Sequence, residues 1–132
     1  MTGEKNLSKL LPAMSPELIA GEFVFYSLEK ARYGDHSDLE PIVAVTESEG
    51  LTLIIPKSKA DEHEIEYESV FRCITLNVHS SLDAVGLTAA FSSKLTEYGI
   101  SANVIAGYFH DHIFVQNELA GKAIAAINEL TR

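Results

Sequence analysis

Hydrophobic positions in the second half of the chain switch between strand-like runs and helical spacing. Phe71–Val78 is a mostly apolar, β-branched run ending at the polar break His79-Ser80-Ser81, and it predicts a largely buried strand. Leu87, Phe91, Leu95 and Tyr98 then recur at spacings of three and four. With Ser81 or Asp83 available as N-cap and Gly99 just past the end, they predict an amphipathic helix over Asp83–Tyr98. Ile100–Gly107 and His112–Gln116 are β-prone segments separated only by Tyr108-Phe109-His110-Asp111, a link short enough for an antiparallel hairpin. Beyond Asn117, a candidate N-cap, Leu119, Ala120, Ala123, Ile124, Ile127 and Leu130 share one helical stripe. The predicted order is β, α, β, β, α.

The first half reads as a reduced copy of the same arrangement. Phe23–Leu28, Pro41–Thr46 and Thr52–Pro56 predict strands, the last two joined by a turn containing Gly50. Between the first two lies only the polar stretch Glu29–Glu40, where the second half has a full crossover helix. The acidic run Asp61–Glu68 reads as a solvated linker. These patterns predict an α+β fold: a ferredoxin-like βαββα unit over residues 69–132, preceded by a reduced β-rich unit over 1–68. A complete ferredoxin-like sheet needs one more strand after the second helix. The N-terminal segment, the first half or another subunit must therefore supply it, and an uncovered edge favours a homodimer or higher homo-oligomer.

Composition narrows the function. Nineteen Asp and Glu against ten Lys and Arg give a formal charge of −9, which repels nucleic-acid backbones and anionic lipid surfaces. No apolar run is long enough for a membrane span and the N-terminus lacks a signal-peptide pattern, so a cytoplasmic location is expected. Cys73 is the sole cysteine; it lies in an apolar run and is expected to be buried filler. Asn6-Leu7-Ser8 fits the glycosylation acceptor pattern, but so short a match is common by chance.

The segment Leu82–Leu87 joins a central strand to a helix and places Gly86 near the helix start. A helix N-terminus without Cβ atoms in the way lets a carboxylate or phosphate reach backbone N–H groups, although a glycine there also permits close packing. His110 and His112 flank Asp111. They form a pair a metal could use, but no further ligand can be assigned, so turn histidines are the simpler reading. The chain contains no G-x-S-x-G, G-x-x-x-x-G-K or H-E-x-x-H pattern, and neither enzymatic activity nor a cofactor is expected.

Two stretches carry a family resemblance. Asp83-Ala84-Val85-Gly86-Leu87 resembles the loop of ACT domains, in which an Asp or Asn lies a few residues before a Gly followed by an aliphatic residue. The longer stretch Leu87–Ile124 is similar to the last repeat of the tandem-ACT arginine sensors of animal cytosol and of small bacterial ACT proteins related to them. The resemblance implies a regulatory protein that binds a free amino acid between the loop and neighbouring strand ends. Val85, Gly86 and Leu87 would offer backbone N–H groups to the α-carboxylate. Asp83 or Asp111 would meet a cationic group, with Gly107, Tyr108 and Phe109 forming the turn beside it. Two features depart from the family: there are two units rather than four, and Val85 stands where a Pro is usual. The alternative function is a structural or oligomerisation module without a working small-molecule site.

Overall fold

The computed structural model describes residues 6–78 and 86–131. In chain order its elements are α1 (Leu7–Ala13), β1 (Pro16–Leu18), β2 (Phe23–Leu28), β3 (Val43–Glu47), β4 (Gly50–Pro56), α2 (Lys57–Glu62), β5 (Phe71–Leu76), α3 (Leu87–Glu97), β6 (Asn103–Ala106), β7 (Asp111–Gln116) and α4 (Ala120–Asn128). Short 3-10 turns occupy Ser37–Leu39, Asn117–Leu119 and Glu129–Thr131. None of the described helices is long and apolar enough to cross a membrane.

Packing divides the chain into an inserted unit, Gly21–Phe71, and a split unit that combines Met1–Ala20 with Arg72–Arg132. The N-terminal helix and strand pack with the second half of the chain.

In the split unit the strand order is β1-β5-β7-β6. β1 runs antiparallel to β5, with Leu18 opposite Ile74 and Pro16 opposite Leu76. It occupies the place of the fourth ferredoxin-like strand. Of the three expected sources, the N-terminal segment is the one used. Alternation along the strands then sets the core. Ile74 and Leu76 of β5 and Ile113 and Val115 of β7 join Leu87, Phe91 and Leu95 of α3 and Ala123, Ala126 and Ile127 of α4 in one buried cluster. Leu10 and Met14, only 1% and 3% exposed, complete it from the N-terminal side. Helix α1 starts where the Asn6 side chain accepts the Ser8 N–H at 3.0 Å, so Asn6 is an N-cap in an amphipathic segment too short to stand out in the sequence.

The predicted elements of this half are present with adjusted ends. Helix α3 starts at Leu87 with Gly86 as its N-cap; Ser81 and Asp83, the expected caps, lie outside the described residues. Asn117 opens a 3-10 turn, and Leu119 is the N-cap of α4. Tyr98 closes the far end of α3 by donating its hydroxyl to the Glu129 carboxylate.

The inserted unit has the strand order β3-β4-β2, antiparallel throughout. Its core comprises Val24, Leu39, Leu51, Leu53, Ile55 and Ala60. After β4 comes α2, where the sequence suggested no helix. Lys57 and Asp61 pair across one turn at 2.8 Å, and the Tyr67 hydroxyl donates to Asp61 at 2.8 Å. These contacts push the Lys57 ammonium up and hold the Asp61 carboxyl below its ordinary range. The acidic run after α2 is not a freely solvated linker: Ile65 and Tyr67 pack on the core while Glu64, Glu66 and Glu68 stay exposed. Alternation hides two anchors in a segment dominated by charge.

Candidate functional site

The expected site lies in the split unit, where β5 ends and the β6–β7 hairpin turns. Asp83 and Val85 lie outside the described residues; Gly86, Leu87, Gly107, Tyr108 and Asp111 are described. Gly86 has φ +99°, a left-handed conformation disfavoured for residues with a Cβ. A Cβ there would also stand 3.1 Å from Leu7 Cδ2 of α1. Both observations account for the glycine through backbone conformation and packing, without a ligand. Leu87 buries its side chain in the core and so has only its backbone to offer a ligand.

Gly107 shapes the hairpin. Its N–H donates to the His110 carbonyl at 2.9 Å, and a Cβ would fall 2.8 Å from that oxygen and 3.3 Å from His112 Nε2. No larger residue fits without opening the turn. Closure pushes Tyr108 and Phe109 outward, each more than half exposed, with their rings edge to face at 5.1 Å. This pair supplies an aromatic surface at the turn.

Asp111 follows at the start of β7 and is half-buried. Burial pushes its carboxyl above the ordinary range, partly opposed by the neighbouring His112. Among the described residues no Lys or Arg forms an ion pair with it. His112 is shifted downward, first by burial and then by His110, against the pull of Asp111. Its Nδ1 lies 2.9 Å from Oγ1 of buried Thr75 on β5, and His110 Nδ1 lies 3.4 Å from the Val78 carbonyl. The two histidines thus tie the hairpin to the end of β5.

Thr75 and Val78 are the contributors that sequence reasoning missed. Both sit inside an apolar run, where nothing distinguishes a residue facing the core from one facing a histidine on the next strand. The metal reading gains no partner: no group of three or more His, Cys, Asp or Glu among the described residues is placed to hold an ion. Cys73 is buried, its thiol pushed up by burial, which suits packing.

Chemically, the hairpin turn offers a half-buried carboxylate that pairs with no Lys or Arg among the described residues and an exposed aromatic pair, while α3 begins separately at Leu87. These are groups suited to a small ligand carrying an ammonium or guanidinium together with an acidic group.

Residues 2–72 match an ACT domain and residues 68–129 match a second one. A crystal structure of a Vibrio cholerae protein of unknown function, titled a possible transport protein, is 52% identical. The match covers 97% of this chain and 98% of that one, with a TM-score of 0.87. An Agrobacterium tumefaciens protein superposes with a TM-score of 0.74 at 13% identity, covering 89% of each chain. The ligand-free regulatory subunit of aspartate kinase from Thermus thermophilus does so with a TM-score of 0.63 at 10% identity, covering 91% of this chain and 99% of that one. At such identities these two share the fold. No curated protein matches the sequence.

Proposed function

Because the chain belongs to the ACT-domain family, matched twice along its length, we propose that it is a regulatory protein that binds a free amino acid at the end of β5 in its split unit. The pocket is assigned to Asp83, Val85, Gly86, Leu87, Gly107, Tyr108 and Asp111. Backbone N–H groups at the start of α3 meet the α-carboxylate, and Asp111 meets the ammonium or a cationic side chain. The observation that carries this reading is Asp111 itself. A half-buried carboxylate whose burial raises its pKa, opposed only in part by His112 and paired with no Lys or Arg among the described residues, is stabilised by a ligand that brings the positive charge. The name of the Thermus thermophilus relative, a regulatory subunit, fits a role in regulation rather than catalysis.

The protein is further proposed to act as a cytoplasmic homodimer or higher homo-oligomer. Support comes from β6, which ends its strand order and, among the described residues, pairs only with β7. Sedimentation velocity measures the assembly directly: a monomer across the micromolar range removes this part of the proposal. The purely structural alternative drew its motive from a missing strand, a place that β1 fills.

The test is a thermal-shift screen of the full chain against the twenty amino acids. A ligand that binds the folded state alone contributes about 2.7 kcal/mol at a hundredfold excess over its Kd. One amino acid is expected to raise the melting temperature of the wild type and not of Asp111→Asn. No shift from any amino acid transfers the assignment to the oligomerisation module.

A further inference from the structure

The inserted unit carries a cavity of its own, at the place where its chain is shortest. In the split unit the crossover from β5 to β6 contains the eleven-residue helix α3. In the inserted unit the crossover from β2 to β3 contains only the three-residue 3-10 turn Ser37–Leu39. Leu39 reaches the core and plugs it, but so short an element leaves the core-side face of β3 open. Ala44 pairs with the core residue Leu53 and is exposed, and Ile42 is 47% exposed. The result is a cavity of about 300 Å³ with Ile42, Ala44 and Leu53 as its apolar floor and Tyr33, Asp35 and Ser37 along its rim. That volume is at the lower end of the range of small-molecule sites, and an apolar floor with a few polar groups is their usual make-up.

The rim is held in an uncommon backbone conformation. Three of the four non-glycine residues with positive φ among the described residues, Lys30, His36 and Glu40, lie in this crossover. Such conformations cluster where a loop's shape is used. Asp35 locks the turn twice: its N–H donates to the Arg32 carbonyl at 2.9 Å, and its Oδ2 accepts the Arg32 N–H at 2.9 Å. Among the described residues Oδ1 has no hydrogen-bond partner, which leaves it to meet a ligand. The Tyr33 ring stands 82% exposed beside it, available to lie over a cation. No Lys or Arg is among the residues lining the cavity, so the rim matches positive charge and not negative.

From this arrangement we propose that the inserted unit binds a small organic cation with an apolar stem, the stem on Ile42, Ala44 and Leu53 and the charged head between Asp35 and Tyr33. This second site is independent of the amino-acid pocket proposed for the split unit.

The test is an NMR titration of the full, isotope-labelled chain with phenethylammonium, and in parallel with phenylacetate as the anionic counterpart. Phenethylammonium is expected to give saturable amide shifts confined to Tyr33–Ser37 and Ile42–Ala44, and phenylacetate none there. Asp35→Asn keeps the acceptor for the Arg32 N–H but removes the charge, and should weaken binding about tenfold. Ala44→Leu fills the exposed floor beside Leu53 and should abolish it. Absence of saturable shifts, equal binding of phenylacetate or unchanged affinity in either variant overturns the proposal. Shifts confined to the neighbourhood of Gly86 and Asp111 also overturn it, and would instead report the site of the split unit.

Discussion

Three residues at the candidate site have their identities dictated by different physics, and each makes a separate prediction. Gly86 is held at φ +99° against Leu7. Gly86→Ala is therefore expected to lower stability by about 1–2 kcal/mol, measured by urea unfolding; an unchanged midpoint would mean that the left-handed conformation carries no penalty. Asp111 and His112 respond to pH in opposite senses. Burial raises the Asp111 pKa, so the folded state binds more protons than the unfolded state between the ordinary carboxylate value and the folded one. Its burial then costs stability as pH rises through that window, and Asp111→Asn should stabilise the unliganded protein at pH 7 and lose that advantage below pH 4. For His112 the folded pKa lies below the ordinary imidazole value of about 6.5. Stability should fall as pH drops from that value through the folded pKa, and His112→Gln should flatten this part of the profile. A slope unaltered by His112→Gln would assign the effect to another group. Unfolding should release a proton from Asp111 in its window and take one up at His112 in its own, so the sign of the proton exchange separates the two contributions.

At the scale of elements, the N-terminal segment carries a prediction that the periodicity of the second half does not. Helix α1 and strand β1 together span few residues, yet they place Leu10 and Met14 in the main core and pair Leu18 with Ile74. Leu10→Ala should cost about 3 kcal/mol, comparable to a deletion in α3 such as Leu95→Ala. A loss below about 1 kcal/mol in denaturant unfolding would show that α1 frays independently of the core it covers. The other elements were legible to different degrees for identifiable reasons. Helix α3 and the β6–β7 hairpin stood out because three- and four-residue spacing and a short link leave few alternatives. Helix α2 did not. Its sequence Lys57–Glu62 is polar on nearly every position, with Ala60 its only buried residue, and its pattern lies in charge pairs that contribute little to an isolated helix. Gly107 was assigned to the site, yet its reason, a turn closed onto the His110 carbonyl, is visible only once the two strands are paired.

For the molecule as a whole, the order of the chain and the order of packing differ. Ile19 donates its N–H to the Cys73 carbonyl at 2.9 Å, so the inserted unit leaves and re-enters the split unit at neighbouring residues of two antiparallel strands. Replacing residues 20–72 with Asn-Gly would join β1 to β5 by a two-residue hairpin turn. The shortened chain is expected to unfold cooperatively and to keep the dispersed amide spectrum of its α3 and α4 residues, whereas a collapsed spectrum would mean that the split unit does not fold without the insertion.

By itself the sequence determined the elements of the second half, the shortened crossover of the first and the family resemblance. Hydrophobic spacing and turn chemistry are local properties, read within one or two turns or strands. Only the tertiary structure decided that the fourth strand comes from Pro16–Leu18, that Thr75 meets His112 across two strands, and that Ile42 and Ala44 line an open cavity. Each of these depends on which distant segments pair. Pairing is set by the burial of shared apolar surface between residues far apart in the chain, a quantity that no local pattern contains.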